Sequence, residues 1–213
     1  MPYFEYGPME IEHLRRRDVR LGRVIDRLGM LRAEMYPDLF TALVSSVVGQ
    51  QISGKAAATV WNRVVERLVE ITPARLDQAS IEEIQSCGMS FRKAEYVKGI
   101  AKACASGELD LDGLKELPDG EVIKALSSLN GIGPWTAEMM LIFSLGRKDV
   151  VSWGDLAIRR GMMSLYGLES MGKPDFERFR ARYSPYGSVA SLYIWELAHQ
   201  PSLLDTNSRS TVR

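Results

Sequence analysis

Two features of the segment between Leu129 and Arg160 have residue types and a spacing that can do chemistry. A Gly-Ile-Gly-Pro turn, Gly131 to Pro134, opens an apolar helix, and an isolated carboxylate, Asp155, opens the next one. Glycine accepts positive φ and lets another molecule approach the backbone closely, and proline suits the first position of a helix. The free N–H groups of such a helix start attract anions, phosphate included. The turn alone fits an ordinary helix–helix connector equally well.

Asp155 has two compatible roles. Aspartate is a favoured N-cap, so the residue can simply begin a helix. The same position keeps the carboxylate ionised, because the helix dipole is positive at its N-terminus. The sequence therefore predicts a fixed, charged carboxylate next to a candidate anion site.

Composition restricts the class of protein. The 213 residues are 46% hydrophobic and 25% charged, as in an ordinary globular protein, and 27 basic residues balance 27 acidic ones. Zero net charge is mild evidence against a nucleic-acid partner, although local charge matters more than the sum. Two cysteines, Cys87 and Cys104, exclude a disulfide framework and a four-cysteine metal site. With no secretory signal and no apolar run long enough to span a bilayer, we expect a cytoplasmic protein.

Apolar residues at three- and four-residue spacing predict helices almost throughout. The predicted helices are 11–17, 18–28, 37–49, 53–69, 90–106, 118–129, 155–166, 174–183 and 185–199, followed by a polar tail at 201–213. Further helix starts are predicted at Thr72-Pro73 and at Ser80, and an apolar helix follows Pro134. Strand signals are weak everywhere. The sequence therefore predicts an all-α protein.

Positive charge collects between Ser86 and Gly107, where four cationic side chains face one anionic side chain. Arg92 and Lys93 fall in the first turn of a predicted helix, where cations oppose the helix dipole. An anionic partner would explain them, and so would a solvated helix face.

These segments carry a resemblance to a known family. The stretch LNGIGPWTAEMML followed by SWGDLAIRRG resembles the helix-hairpin-helix DNA glycosylase superfamily, in which the hairpin precedes an Asp at this separation. Within that superfamily the chain is similar to the 3-methyladenine DNA glycosylase II branch, over about Leu14 to His199. Three further segments agree: Phe40–Ser53, Cys87–Val97 and Ser188–Trp195.

The resemblance implies an all-α enzyme of two helical lobes, with DNA lying across the cleft between them. One lobe is expected at about 37–130 and the other at about 1–36 plus 131–200, with 201–213 as a tail. The implied partner is double-stranded DNA containing damaged bases. No membrane partner is expected, and we expect a monomer, associated with the nucleoid if the source is bacterial or archaeal.

The resemblance also implies the chemistry. Asp155 matches the carboxylate that stabilises the oxocarbenium-like sugar cation as a base leaves, and that orients or deprotonates water. A base alkylated at N3 of adenine or N7 of guanine is cationic, so an aromatic pocket would prefer it by cation–π attraction. Trp135 and Trp195 match family positions near that pocket, and Trp153 is an additional candidate. Core packing is the alternative for each tryptophan.

DNA contacts follow from the same comparison. Gln51 matches the side chain that fills the vacancy left by a flipped base, with Gln50 as an assistant, although relatives often place an apolar residue there. We expect phosphate contacts from one set of residues: Gly131, Gly133, Thr136, Arg92 and Lys93. A monovalent cation is an option at the backbone of the Gly131–Gly133 hairpin, and no catalytic metal is expected.

Two absences narrow the expected activity. Relatives that also cut the backbone use a Lys two positions after the second hairpin glycine, and here that position is Trp135. We therefore expect a monofunctional enzyme that leaves an abasic site. No cysteine follows Cys104, so we expect no iron–sulfur cluster and no other cofactor. A glycosylase for deaminated or oxidised bases and a non-catalytic helix-hairpin-helix module remain the alternatives.

Overall fold

The computed structural model describes residues 2–204. Of the polar tail predicted at 201–213, residues 201–204 form a 3-10 turn and residues 205–213 lie outside the described residues. Residues 2–204 form α-helices and two short 3-10 turns, and their only strand-like pairing is an isolated antiparallel bridge between Tyr3 and Glu34. The predicted all-α class is therefore confirmed. None of the helices in this part of the chain has the length and apolar character needed to cross a membrane.

The helices are α1 Pro8–Arg17, α2 Val19–Leu28, α3 Leu39–Gly49, α4 Gly54–Leu68, α5 Pro73–Gln78, α6 Ile81–Gln85, α7 Phe91–Ala105, α8 Asp119–Ser127, α9 Pro134–Phe143, α10 Leu156–Tyr166, α11 Lys173–Tyr183 and α12 Gly187–His199. The 3-10 turns are Gly113–Glu116 and Pro201–Leu204.

Side-chain caps begin six of the twelve α-helices of residues 2–204 at the predicted residues. The capping side chains that accept a backbone N–H are Asp18, Ser53, Thr72, Ser80, Ser90 and Asp155. Two helices start later than predicted. Asp38 caps α3, so that helix begins at Leu39 and not at Pro37, and α12 begins at Gly187 and not at Pro185.

The chain divides into two compact units. Unit 1 comprises Pro2 and Met35–Leu145, and unit 2 comprises Tyr3–Glu34 and the described residues from Gly146 onward. The family resemblance predicts that 131–145 belongs to the second lobe, whereas the structure groups this segment with unit 1. The reason is packing, because α9 lies against α8 and α3.

Unit 1 is organised around α3, which packs against α4, α7 and α9. Leu43, Val44 and Val47 of α3 are fully buried, as expected for a broad apolar helix face. The end of α3, the start of α7 and the turn before α9 carry the predicted DNA-contacting residues. Their positions are therefore set by one apolar core.

Unit 2 is organised around the packing of α10 on α12. Gly161 of α10 permits the close approach, since a Cβ there would meet the carbonyl oxygen of Ile194 and would lie 2.7 Å from its Cγ2. Only glycine fits at such a backbone contact. The next residue of α12, Trp195, is thereby held against α10.

Candidate active site

Asp155 is a buried carboxylate with both of its oxygens engaged. It is 7% exposed and caps α10, with Oδ1 accepting the N–H of Ile158 at 3.0 Å. Its Oδ2 accepts the indole N–H of Trp195 at 3.2 Å. The N-cap and the indole hydrogen bond together fix the orientation of the carboxylate.

A polar stripe on α12 holds the segment that leads to Asp155. Ser188 Oγ donates to the carbonyl of Arg147 at 2.6 Å and accepts the N–H of Val150 at 3.0 Å. The Ser191 hydroxyl lies within hydrogen-bond distance of two carbonyl acceptors, that of Gly187 at 2.9 Å and that of Val150 at 3.2 Å. Ser188, Ser191 and Trp195 lie on one helix face because their spacing is three and then four residues. The segment before Asp155 and the carboxylate itself are therefore fixed by the same helix face.

Trp153 lies two residues before Asp155, and its ring already has partners. The guanidinium carbon of Arg159 lies 5.0 Å from the ring centroid, and Phe176 contacts the ring edge-to-face at a centroid distance of 5.2 Å. The buried Nε of Arg159 has no hydrogen-bond partner among the described residues. One cation-binding face of Trp153 is therefore occupied by the protein's own arginine.

The glycine turn in unit 1 adopts a conformation that requires glycine. Gly131 has φ of 89°, and a Cβ there would lie 2.8 Å from Cγ of Tyr96, with another ring atom closer still. Gly133 is the N-cap of α9 and provides no side-chain cap, so the first N–H groups of α9 are not satisfied by a capping side chain. Trp135 is 48% exposed in the first turn of α9, whereas Thr136 is buried.

The loop after α3 contains the predicted wedge. Gln51 is exposed and has φ of 57°, a left-handed conformation that costs a non-glycine residue roughly 1–2 kcal/mol. Gln50 is the C-cap of α3, and its side-chain amide donates to the carbonyl of Gly131 at 2.8 Å. Ile52 is 40% exposed beside Gln51, so the loop also presents an apolar side chain.

Arg92 and Lys93 have different surroundings on α7. Arg92 is exposed, and its Nε donates to the hydroxyl of Tyr96 at 2.5 Å. The Lys93 ammonium donates to the carbonyls of Val48 at 2.9 Å and Gln50 at 2.5 Å. Burial lowers the pKa of the Lys93 ammonium below its ordinary range. Phosphate contacts by these residues remain predictions, and Lys93 already holds backbone groups of unit 1.

The structure thus groups the predicted site residues in two sets. Unit 2 brings together Asp155, Trp195 and Trp153, and unit 1 holds the glutamines, the glycine turn, Trp135, Thr136 and the two α7 cations. Among residues 2–204 no cluster of three or more His, Cys, Asp or Glu side chains is arranged to hold a metal ion.

Sequence reasoning missed several contributors to these sets. Tyr96 shapes the glycine turn, Arg159 covers Trp153, and Ser188 and Ser191 fix the segment before Asp155. The two serines could have been identified from the sequence, since they are small polar residues in an otherwise apolar helix. The roles of Tyr96 and Arg159 could not have been identified in this way. Tyr96 contacts Gly131, which is distant in sequence, and the contact of Arg159 with Trp153 depends on the side-chain rotamer.

The chain is similar in sequence to known DNA repair proteins. The model of the HhH-GPD superfamily of base excision DNA repair proteins matches residues 44–185. DNA-3-methyladenine glycosylase 1 of Schizosaccharomyces pombe is 31% identical over 182 residues, covering 83% of this chain and 80% of that protein.

Solved structures give the same relationship. DNA-3-methyladenine glycosidase from Bacillus halodurans superposes with a TM-score of 0.85 at 37% identity, over 94% of each chain. A 3-methyladenine DNA glycosylase of Schizosaccharomyces pombe, solved with abasic DNA, gives a TM-score of 0.78 at 30% identity, covering 90% of this chain and 97% of that one. The family-model match, the relatives and the shared all-α fold lead to one conclusion: this chain belongs to the HhH-GPD superfamily of base excision DNA repair proteins.

Proposed function

We propose that this protein is a monofunctional DNA glycosylase that removes alkylated purines, of the 3-methyladenine and 7-methylguanine type, from double-stranded DNA. The observation that carries the proposal is the buried Asp155 carboxylate, fixed by its own helix and by Trp195. Relatives named DNA-3-methyladenine glycosylases, one of them solved on abasic DNA, support the substrate class.

The reaction replaces the bond between C1′ and the base nitrogen with a bond between C1′ and water. As the C–N bond breaks, its electron pair leaves with the cationic base, which departs neutral, and the sugar acquires oxocarbenium character. Asp155 stabilises that cation electrostatically and orients the incoming water, whose proton passes to the carboxylate or to solvent. An alkylated base leaves without a strong general acid, so one carboxylate is sufficient.

The tryptophans differ in how well they suit a cationic base. Trp153 is the weakest candidate, because Arg159 already lies over its ring. Trp195 positions the carboxylate through its N–H, so its pocket role is combined with an orienting role. Trp135 presents an exposed indole at the start of α9, which suits stacking on a base or a neighbouring nucleotide.

Binding of DNA is assigned to unit 1. The start of α9, with Gly131 and Gly133 before it, provides backbone N–H groups for a phosphate. The exposed, left-handed Gln51 enters the vacancy left by the flipped base, with the neighbouring Ile52 as an apolar contributor. These contacts position the strand and carry no sequence information.

No cofactor is assigned, and Trp135 occupies the position where bifunctional relatives place a lysine. The enzyme is therefore proposed to leave an intact abasic strand. We also propose that it acts as a monomer in the compartment that holds the DNA.

Base release from methylated duplex DNA tests the proposal. The protein is incubated with DNA treated with a methylating agent, free bases are separated, and the strand is analysed with and without alkali. We expect free methylpurine and strand breaks only after alkali. Duplexes carrying deaminated or oxidised bases are tested in parallel. Binding without release from any of these substrates would indicate a non-catalytic module, and release from the parallel duplexes but not from methylated DNA would indicate another lesion. Breaks without alkali would contradict the monofunctional assignment.

A further inference from the structure

Lys93 occupies a position that its own helix disfavours. It is the third residue of α7, where the positive end of the helix dipole repels a cation. Its ammonium is also partly buried, which disfavours the charged form and lowers its pKa. A contact outside α7 must therefore compensate for placing a lysine here.

That contact is the C-terminal end of α3. The last carbonyls of a helix have no intrahelical partner and lie at the negative end of its dipole. Lys93 donates to two of them, Val48 at 2.9 Å and Gln50 at 2.5 Å. A lysine that is unfavourable for α7 is thus favourable for α3, and two of its three N–H donors are used there.

The segment whose carbonyls Lys93 binds, residues 48–51 (hereafter the clamped segment), has two further features. Gln51, directly after the clamped carbonyl, is held at φ of 57°, a conformation that persists in a non-glycine residue only where its surroundings impose it. Gln50, whose carbonyl Lys93 binds, uses its side chain to bind the carbonyl of Gly131 at 2.8 Å. One ammonium therefore anchors the loop that carries the wedge, and the loop is bonded in turn to the glycine turn.

We propose that Lys93 is a positioning residue for base flipping. It holds the end of α3 and the loop that follows, residues 48–51, so that Gln51 is presented in its strained conformation. Through Gln50 it also keeps this segment in place against the Gly131 turn. This inference deepens the proposed function and rests on it, because the wedge matters only to an enzyme that flips bases. It also gives Lys93 a role other than a direct phosphate contact.

Two substrates separate positioning from general damage to the protein. One duplex carries 7-methylguanine opposite cytosine, and the other carries it opposite an abasic position, where no base pair has to be broken. We expect Lys93→Met to lower kcat/KM for the paired lesion by about tenfold, corresponding to about 1.4 kcal/mol for the loss of a charged hydrogen-bonded anchor. The change for the unpaired lesion should stay within about threefold.

The chain offers a matched control on the same helix. Lys98 of α7 also donates its ammonium to a backbone carbonyl, that of Asp77, and pairs with the Asp77 carboxylate, away from the clamped segment. Lys98→Met should leave the ratio between the two substrates unchanged. If Lys93→Met fails to fold, Gln50→Leu removes the link to Gly131 and should lower the same ratio. Equal losses on both substrates, or no loss on either, would overturn the inference.

Amide hydrogen exchange provides a readout that does not depend on activity. In Lys93→Met the amides of residues 49–52 and 131–133 should exchange faster than in the wild type, while Lys98→Met should leave them unchanged. Unchanged exchange in Lys93→Met would refute the clamp even if the protein released no methylpurine. If Lys93→Met exchanges faster as expected but the wild-type protein releases no methylpurine, the proposed function is refuted, and Lys93 has only a structural role in holding this segment.

Discussion

Asp155→Asn separates the two roles of the carboxylate. Asparagine caps helices as well as aspartate does, so the start of α10 is preserved. The amide lacks the negative charge, however, and one of its two former acceptor positions becomes an NH2 donor. Whichever way the amide turns, that NH2 faces either the N–H of Ile158 or the indole N–H of Trp195.

The size of each effect follows from this geometry. A buried donor left facing another donor costs about 1–3 kcal/mol, which in a protein of this size lowers the melting temperature by roughly 2–12 °C. Removing the charge that stabilises the sugar cation should lower kcat by about 100- to 1,000-fold. The loss of rate is therefore much larger than the loss of stability can explain.

A double variant makes the distinction sharper. Asp155→Asn/Trp195→Phe keeps an aromatic ring on α12 but removes the indole donor, so the conflict between two N–H groups disappears. The melting temperature of the double variant should fall by less than the sum of the two single losses. Methylpurine release, measured as a single-turnover rate with excess enzyme, should remain as low as in Asp155→Asn.

Two results would refute this reasoning. Base release by Asp155→Asn within about threefold of the wild type would mean that the carboxylate does not stabilise the reacting sugar. If both the rate and the melting temperature recovered in the double variant, the Asp155→Asn substitution would have acted only by disturbing the structure.

Three further predictions concern the supports of the site. Gly131→Ala should weaken binding to abasic duplex at least tenfold, measured by fluorescence anisotropy, because the ring of Tyr96 lies where the Cβ would go. Gly107 is the control: its φ is 76° and the space around its Cβ position is open, so Gly107→Ala should not change binding. Ser188→Ala orphans a buried N–H and should cost about 1–3 kcal/mol in the free energy of unfolding by denaturant titration. A hydrogen bond from Lys148 lowers the pKa of Glu10, so this carboxylate stabilises the fold above its ordinary pKa of 4.5 and loses that contribution as pH falls below it. Between pH 6 and pH 3, Glu10→Gln should therefore lose less of its free energy of unfolding than the wild type loses. An equal loss in the two proteins would contradict the assignment.

Helix starts were predictable from the sequence because they depend on neighbours in the chain. Asp18, Ser53 and Asp155 cap helices through N–H groups two or three residues away, so residue type and spacing are sufficient. Gly131 was predictable for the same reason, since a Gly-x-Gly-Pro turn indicates its own backbone geometry.

The roles that depend on distant contacts were not predictable. Lys93 was expected to contact phosphate because its charge is visible in the sequence, whereas its carbonyl partners come from a helix some 45 positions earlier. Trp153 was expected to offer a ring to the base, and the arginine that covers it is identified only by a rotamer. The assignment of 131–145 to unit 1 likewise depends on the packing of α9 and not on its sequence.

The polar stripe of α12 also limits which insertions and deletions the chain can tolerate. Ser188, Ser191 and Trp195 reach their partners only because the helix turns by about 100° per residue between them. Deleting one residue between Ser191 and Trp195 would rotate the indole by that angle away from Asp155, although the composition of the helix would hardly change. The length of this helix segment is therefore as much a part of the active site as the carboxylate that it orients.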